Sequence, residues 1–215
     1  MIAKDGYKLI VITGILLLLF LAASYLTGLL PIYILTGIIG FIFIFNFFFL
    51  RDPERTTPEG DNFVISPADG TVIKIAEVEE PEYFKEKVRL ISVFMSVFNV
   101  HVNRIPIGGK IEYLDYKKGQ YLAAFADKAT EINERSIIGI KGEKGKVLFK
   151  QIAGILARRI VYHLNINDEV KAGNRFGLIR YGSRLDVYLP LSAKINVQLK
   201  QKVKSGSTIL AEFAE

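Results

Sequence analysis

The residues from Leu9 to Leu50 read LIVITGILLLLFLAASYLTGLLPIYILTGIIGFIFIFNFFFL. None of these 42 residues is Asp, Glu, Lys or Arg. As one helix they would extend roughly 63 Å, which is about twice the ~30 Å thickness of a bilayer's hydrocarbon core. Two crossings therefore fit the stretch better than one. An internal proline ends or kinks a helix at the preceding residue, so Pro31 predicts two spans, at residues 9–29 and 33–50.

Two other interpretations of this uncharged stretch are a cleaved signal peptide and a hairpin that enters the membrane without fully crossing it. The apolar part of a signal peptide is only ~7–15 residues long, so the first fits poorly, whereas the second stays open. Two crossings would place both flanks on one side, and cations in the flanks favour the cytoplasmic side. The flanking cations are Lys4, Lys8, Arg51 and Arg55. We therefore expect residues 1–50 to form an anchor in the cell membrane and residues 51–215 to form a domain on its cytoplasmic face.

The composition excludes several kinds of site. The chain has 28 Lys and Arg against 22 Asp and Glu, and it has no cysteine. A disulfide framework, a thiolate nucleophile and a Cys-ligated metal are thus excluded. Only His101 and His163 are histidines, and neither has a second histidine at ligand spacing, so no metal site is predicted. Phosphate-loop and dinucleotide motifs are absent, and the positive charge next to a membrane favours anionic lipid over nucleic acid as the partner.

Residues 51–215 are rich in short β-branched runs separated by glycine-containing turns, and they show no long helical periodicity. This pattern predicts a mainly β fold of the α+β class, a sandwich or partly closed barrel. The turn Asp168–Gly173 also matches the Asp-x-Val-x-x-Gly turn of lipoyl-type sandwiches, and its Val-Lys-small-Gly pattern recurs at Val203–Gly206. A true duplication and two unrelated turns both remain open. The predicted strands are Phe63–Ile65, Thr71–Val78, Val88–Phe98, Lys110–Tyr116, Ile137–Ile140, Val147–Ile152, Phe176–Tyr181, Leu185–Leu189 and Lys194–Leu199.

Candidate chemistry gathers around His101. Alternation along a strand would place His101 on one face with Asn99 and Asn103. Such a polar face is typical either of the wall of a site or of a strand face in contact with water, and the residues alone do not decide between the two.

A set of segments in fixed order carries a resemblance to a known family. They run through nearly all of residues 61–212, and together they resemble the phosphatidylserine decarboxylases, specifically the short form of bacteria and archaea. Two positions depart from the family patterns. The longer enzymes have a second histidine where this chain has Arg104, and short forms usually have an aspartate where this chain has Asn99. The matching segments are Pro67–Val72, Phe94–Ser96, Val100–Arg104, Asn133–Arg135, Gln151–Gly154, Ala157–Val161, Arg175–Ile179, Gly182–Pro190 and Gly206–Thr208.

The resemblance implies a proenzyme that cuts itself between Gly206 and Ser207. The Ser207 hydroxyl would attack the Gly206 carbonyl, and elimination followed by hydrolysis would convert Ser207 into a pyruvoyl group. The products would be a β chain of residues 1–206 and an α chain of residues 207–215. These fragments would stay together as a heterodimer, with 208–213 as a strand of the sheet, and higher oligomers remain open.

The resemblance also implies the reaction. The pyruvoyl group, acting as a covalent cofactor, would form a Schiff base with a serine phospholipid, which would lose CO2 to give the ethanolamine phospholipid. The substrate would be phosphatidylserine or its archaeal ether counterpart, archaetidylserine. His101 would supply acid–base catalysis, and Asp69 would orient and charge-stabilise the histidine or the Ser207 system.

Two functions of other classes stay open from the residues alone. One is a membrane-anchored serine hydrolase that uses Ser207, His101 and Asp69 as a lasting triad. The other is a non-enzymatic, lipoyl-like lipid-binding module on an anchor. The first predicts a free Ser207 hydroxyl, and the second predicts an uncut chain that is indifferent to replacement of Ser207 or His101.

Overall fold

The computed structural model describes residues 1–125, 129–155, 159–179 and 182–214. The chain divides into two compact units, Met1–Pro53 and Glu54–Glu215.

The N-terminal unit consists of two apolar helices. After a short 3-10 helix at Lys4–Gly6, α1 spans Tyr7–Thr27 and α2 spans Leu30–Phe49. Gly28 follows α1 in the left-handed conformation, φ 65°, and the proline lies in the first turn of α2. Glycine past a helix end and proline at a helix start are the usual arrangement. The break is therefore made by Gly28 ending α1, whereas Pro31 begins the second helix rather than ending the first.

The two helices form a closed antiparallel pair. At the end of the pair away from the connecting turn, the Ala3 N–H donates to the Leu50 carbonyl at 2.8 Å and the Asp52 N–H donates to the Met1 carbonyl at 2.8 Å. Nearer the connecting turn, the hydroxyls of Ser24 and Thr36 are 2.8 Å apart. Most of the remaining side chains are exposed and apolar, and both helices are long and apolar enough to cross a membrane. A helix that is apolar all round suits a bilayer and not water.

The second unit is built on an eight-stranded antiparallel sheet that curls into a half-barrel. The strand order in this sheet is β13-β2-β3-β11-β7-β6-β5-β9. Its strands are β2 (Gly70–Glu80), β3 (Glu86–Met95), β5 (Gly109–Lys117), β6 (Arg135–Lys141), β7 (Lys146–Ala153), β9 (Glu169–Val170), β11 (Ser183–Leu189) and β13 (Lys202–Val203).

Two three-stranded sheets complete the unit, in the orders β1-β14-β12 and β4-β10-β8. A single four-residue helix among the described residues, α3, spans Ala129–Ile132. The strands of the smaller sheets are β1 (Phe63–Ile65), β4 (Val102–Arg104), β8 (Ile160–Tyr162), β10 (Arg175–Ile179), β12 (Lys194–Ile195) and β14 (Ile209–Glu212).

The mainly β prediction is confirmed, and the core lies on the concave side of the large sheet. Alternating residues of β11, Leu185 and Val187, are fully buried there against Phe149 of β7. The strand β14 adds Leu210 and Ala211 to the same core, as the strand predicted at 208–213 requires. The last predicted strand, at 194–199, is much shorter than expected, because only Lys194–Ile195 pair with β14.

The repeated Val-Lys-small-Gly pattern has a common geometry. The strands β13 and β9 lie at the two opposite edges of the large sheet, and each copy of the pattern begins at the last residue of one of them. Each copy places its glycine at positive φ, 80° for Gly173 and 74° for Gly206. Arg104 contacts both turns. Its guanidinium donates to the Gly173 carbonyl at 3.0 Å, and its Cδ lies beside Gly206. The two turns are therefore equivalent in local conformation.

Candidate active site

Hydrogen bonds hold the turn that carries Ser207, and every backbone N–H from residue 205 to residue 208 donates one. The Ser205 N–H donates to Asp69 Oδ1 at 2.7 Å, and the Gly206 N–H donates to the Ser66 carbonyl at 2.8 Å. The N–H groups of Ser207 and Thr208 both donate to the Lys204 carbonyl, at 3.2 and 3.0 Å. Ser207 itself is only partly buried. The turn thus has one fixed backbone conformation and presents a serine at its edge.

Residue 206 must be glycine for two separate reasons. Its φ of 74° lies in the left-handed region, where a side chain is strained. A Cβ atom at this position would also lie 2.5 Å from Cδ of Arg104, well inside van der Waals contact. The peptide bond before Ser207 is therefore held in a conformation that other residues adopt only at a cost.

Asp69 is directly bonded to this turn. Besides accepting the Ser205 N–H, its carboxylate accepts from Arg55 Nη2 at 3.0 Å, and the two charged side chains are only 11% and 16% exposed. The next residue, Gly70, has no Cβ, and this allows the segment to pack closely against β3. A Cβ at this position would lie 2.2 Å from the Phe94 carbonyl oxygen. The bond from Ser205 places the Asp69 carboxylate two residues before Ser207 in the same turn.

His101 is 2% exposed and is held at both ring nitrogens. Nδ1 lies 3.0 Å from the Asn99 carbonyl, and the Gly182 N–H lies 3.5 Å from Nε2. A carbonyl can only accept, so the Nδ1 nitrogen carries a proton, and in the neutral ring Nε2 is the acceptor, in agreement with its contact with the Gly182 N–H. The ring is therefore oriented with Nε2 towards Gly182.

The prediction that Asn99 shares a strand face with His101 and Asn103 is wrong. Asn99 lies in a turn before β4, where its Oδ1 accepts from the N–H and the hydroxyl of Ser96, at 2.9 and 2.8 Å. Asn103 is completely buried and accepts from Gln151 Nε2 at 2.8 Å. Since His101 and Asn103 are both buried, this segment is not a strand face in contact with water. Asn99, which stands where short forms of the resembled family usually have an aspartate, thus keeps a side-chain oxygen that accepts the two hydrogen bonds from Ser96.

The three predicted site residues are connected through Ser205. Its hydroxyl lies 3.1 Å from the Pro67 carbonyl and 3.3 Å from the Val102 carbonyl, so it can donate to either. Pro67 lies two residues before Asp69, and Val102 directly follows His101. Asp69 therefore meets the Ser207 turn directly, whereas His101 is connected to it through the backbone of β4. Ser205 and Arg55 were not predicted as site residues, and His163 is exposed at the end of β8.

An apolar cavity of about 390 Å³ opens beside His101. Gly182, whose N–H contacts the ring, forms part of its wall, as does Ser96. Its other described lining residues are Phe94, Val97, Ala123, Ala124, Phe125, Gly154 and Ile155. A small apolar cavity next to a titratable group is the usual form of a ligand site.

The segment that carries one wall of this cavity is fastened by Asn133 and Glu134. The Asn133 amide bonds both the N–H and the carbonyl of Leu122, each at 2.9 Å, and it also donates to the Ala153 carbonyl at 2.7 Å. The Glu134 carboxylate accepts from the hydroxyls of Tyr116 and Tyr121. Burial, together with this carboxylate, raises the pKa of Tyr116 above its ordinary value. The Asn133–Arg135 segment therefore supports the cavity wall without lining the cavity.

No group of three or more His, Asp or Glu residues lies close enough to hold a metal ion within the described ranges. Of the segments that carry the sequence resemblance, Ala157 and Arg158 lie outside the described residues.

The chain is similar to known proteins over nearly its whole length. The model of the family phosphatidylserine decarboxylase matches residues 42–211. The phosphatidylserine decarboxylase proenzyme of Syntrophus aciditrophicus (strain SB) is 44% identical over 99% of this chain and 97% of that protein. The proenzymes of Amoebophilus asiaticus (strain 5a2) and Wolbachia pipientis wMel are 42% and 41% identical, over 99% of this chain and 96% and 91% of those proteins. By this similarity, and with its fastened Gly206–Ser207 turn, the chain belongs to the phosphatidylserine decarboxylase family.

Proposed function

We propose that this chain is a pyruvoyl-dependent carboxy-lyase that converts phosphatidylserine into the ethanolamine phospholipid and CO2. The observation that carries the proposal is the Gly206–Ser207 turn, held by Asp69 and Ser66, in a chain whose relatives are named proenzymes. Archaetidylserine stays an option, since it has the same phosphoserine head group and the described residues do not distinguish the lipid tails.

The first proposed step is self-cleavage between Gly206 and Ser207. Gly206 adopts its positive φ without strain because it has no Cβ, and the hydrogen bonds of residues 205–208 hold the uncut turn in this conformation. The Ser207 hydroxyl is the nucleophile. It belongs to the residue directly after the Gly206 carbonyl that it attacks, and the fixed turn keeps the two groups close together. Asp69 acts by fixing the Ser205 N–H and by adding negative charge near the turn. The products would be a catalytic heterodimer of β chain 1–206 and α chain 207–215.

The residues around Ser207 are compatible with a pyruvoyl group. Residue 207 is partly exposed at the edge of the turn. A planar ketoacyl group has neither the N–H nor the hydroxyl of the serine it replaces, so it needs fewer hydrogen-bond partners. When formed, this group supplies an electron sink for decarboxylation. His101 holds a proton at Nδ1, so Nε2, which lies 3.5 Å from the Gly182 N–H, is the nitrogen that accepts a proton and returns it.

The anchor would place the reaction at the membrane that contains the substrate. Two apolar helices of sufficient length precede the catalytic unit. We propose that both cross the cell membrane and that the catalytic unit, residues 51–215, lies on the cytoplasmic face.

Replacement of Ser207 tests the proposed function. Ser207→Ala removes the nucleophile, so the purified chain should remain one piece and should release no CO2 from phosphatidylserine. The matched control is Ser192→Ala, an exposed serine of the same unit, which should be processed like the unchanged chain. Intact-mass spectrometry gives the cleavage and the pyruvoyl mass, and CO2 release gives the activity. An unchanged chain that is active while still intact at Ser207 would refute the proposal.

The same assays test the role of His101. His101→Gln keeps a hydrogen-bonding side chain but cannot carry a titrating proton, so decarboxylation should fall by about 10²- to 10⁴-fold, the usual contribution of a general acid–base. Measurement on the fraction of chain that has been cut separates the two steps. A cut His101→Gln protein with full turnover would remove this residue from the decarboxylation step.

A further inference from the structure

Four of the eight exposed large apolar side chains that the structure describes in the catalytic unit lie at or next to the cavity beside His101. We call these four the rim residues, and they belong to three separate segments. Phe98 and Phe125 are each 68% exposed and Ile155 is 58% exposed, while Leu122 is 37% exposed. The rim residues are Phe98, Leu122, Phe125 and Ile155.

Each rim residue either lines the cavity or is next to a lining residue in the chain. Phe125 and Ile155 line it directly, and the ring of Phe125 packs edge-on against Phe94 at 6.1 Å. Phe98 follows Val97, another lining residue, in the turn that Asn99 caps. Leu122 precedes the lining residues Ala123 and Ala124, and Asn133 bonds its backbone. Phe125 and Ile155 therefore border the opening, and Phe98 and Leu122 are exposed side chains directly next to lining residues in the chain.

This opening leads to the proposed catalytic base. Gly182 lines the cavity and contacts His101 Nε2, and Ser96 lines it and bonds Asn99, whose carbonyl holds Nδ1. Exposed apolar clusters are uncommon on soluble proteins and mark interaction surfaces. A cluster at the mouth of a catalytic cavity points to an occupant that arrives together with the substrate.

The charge and the composition of the chain favour a lipid bilayer as that occupant. Residues 51–215 have an excess of basic residues, which attracts anionic head groups. Aromatic rings such as Phe98 and Phe125 suit the boundary between head groups and acyl chains. The chain also has two helices whose exposed apolar surface already fits a membrane, so the catalytic unit is tethered to a bilayer in any case.

We propose that the rim residues dip into the bilayer surface, so that the catalytic unit has a second membrane contact of its own and takes its lipid directly through the rim. This inference rests on the proposed function for its purpose, because a bilayer-embedded serine lipid is the reason for the contact. The contact itself is a physical claim that can be measured without any catalysis.

The absence of tryptophan from the chain provides the test. Phe98→Trp and Phe125→Trp each give the full-length protein one fluorophore at the rim. The matched control is Leu199→Trp, which is 56% exposed in the same unit but lies between β12 and β13. Each protein is reconstituted into vesicles of phosphatidylcholine and phosphatidylserine with brominated acyl chains. Rim tryptophans should lose most of their emission to the bromines, while the control should keep it.

Two fluorescence outcomes would overturn the proposal. One is equal quenching at the rim and at the control position. The other is rim emission that shifts to the blue with protein concentration in detergent and is insensitive to brominated lipid, since a second copy of the chain would then cover the rim.

An activity comparison separates this proposal from the proposed function. The double variant Phe98→Ser with Phe125→Ser should lower kcat/KM on vesicle-embedded phosphatidylserine several-fold more than on a short-chain, monomeric phosphatidylserine. Leu199→Ser should leave the ratio of the two unchanged. Equal losses on both substrates would contradict membrane docking through the rim. If the unchanged chain decarboxylates neither substrate, the proposed function fails, and the quenching experiment still decides whether the rim contacts the bilayer.

Discussion

At the scale of single residues, the carboxylate of Asp69 has two partners on opposite oxygens. Oδ1 accepts the Ser205 N–H at 2.7 Å, and Oδ2 accepts from Arg55 at 3.0 Å. A buried carboxylate is stable only when it is paired and hydrogen-bonded, and the two contacts meet both conditions. Arg55 therefore balances the charge of Asp69, while Asp69 fixes the turn before Ser207.

We predict that Asp69→Asn slows self-cleavage. The amide can still accept from the Ser205 N–H, but it loses the charge that stabilises Arg55 and the turn. A hydrogen bond to a charged group contributes about 1.5–3 kcal/mol and one to a neutral group about 0.5–1.5 kcal/mol, so the loss of the charge should slow cleavage by about tenfold. The fraction of cut chain is followed over time by mass spectrometry.

Asp61→Asn is the control for this prediction, because Asp61 is an exposed acid of the same unit. It should be cut at the normal rate. If Asp69→Asn is cut as quickly as the control, the carboxylate has no role in processing and the contact with Ser205 is only structural.

Sequence reasoning identified the residues at which local chemistry is visible and missed those that depend on folding. Gly206 and Asp69 were identified through the resemblance to the family, which short local motifs carry. Arg55 and Ser205 meet Asp69 only because segments far apart in the chain converge there. Asn99 was assigned to a strand face by alternation, but its side chain caps a turn with Ser96, and such a capping bond overrides alternation.

At the scale of elements, β14 forms the centre of a small sheet. It pairs with β1 on one side and with β12 on the other, both antiparallel. Leu210 and Ala211 are fully buried, and Phe213 is 5% exposed. The proposed α chain, 207–215, would thus be held after cleavage by strand pairing, by these buried side chains and by hydrogen bonds such as that from the Ser66 N–H to the Thr208 carbonyl.

We predict that Phe213→Ala weakens retention of the α chain. Truncation of a buried phenylalanine costs about 3–5 kcal/mol, and a nine-residue fragment has few other contacts to offset that loss. Gel filtration of the cut protein, followed by mass spectrometry, should show a β chain that has lost its partner. Lys194→Ala, an exposed change on the neighbouring β12, should leave the two fragments together. Retention of the fragment in both variants would mean that pairing with β1 and β12 is sufficient.

The long strands were predictable and most of the short ones were not, although β1 was predicted with its observed bounds, Phe63–Ile65. Strands such as β2 and β7 contain enough residues for β-branched enrichment to be visible, and their predicted positions agree with the structure within a few residues. The strands β4, β8, β9 and β13 have only two or three residues each, too few for any periodicity. Their positions depend on the turns at Gly173 and Gly206 and on pairing with longer strands.

At the scale of the whole molecule, the helical pair fixes where the chain enters and leaves its anchor. The hydrogen bonds of Ala3 with Leu50 and of Met1 with Asp52 close one end of the pair, and Gly28 and Leu29 form the other end. If both helices cross the bilayer, the N-terminus and the start of the catalytic unit must lie on the same side. The connecting turn must then lie on the opposite side.

We predict opposite sidedness for the connecting turn and the catalytic unit, and the cysteine-free chain allows a direct measurement. Leu29→Cys places a thiol in the turn, where the native side chain is 56% exposed, and Glu143→Cys places one in an exposed loop of the catalytic unit. A membrane-impermeant maleimide added to spheroplasts should label Cys variants of Leu29 at once and those of Glu143 only after the membrane is opened. Labelling of neither before opening would mean that the hairpin enters the membrane without crossing it, because the turn then never reaches the outer face. Labelling of Glu143→Cys alone would place the catalytic unit outside, against the positive charges that flank the helices. The three results separate full crossing, partial insertion and inverted orientation, which no property of the uncharged stretch distinguishes by itself.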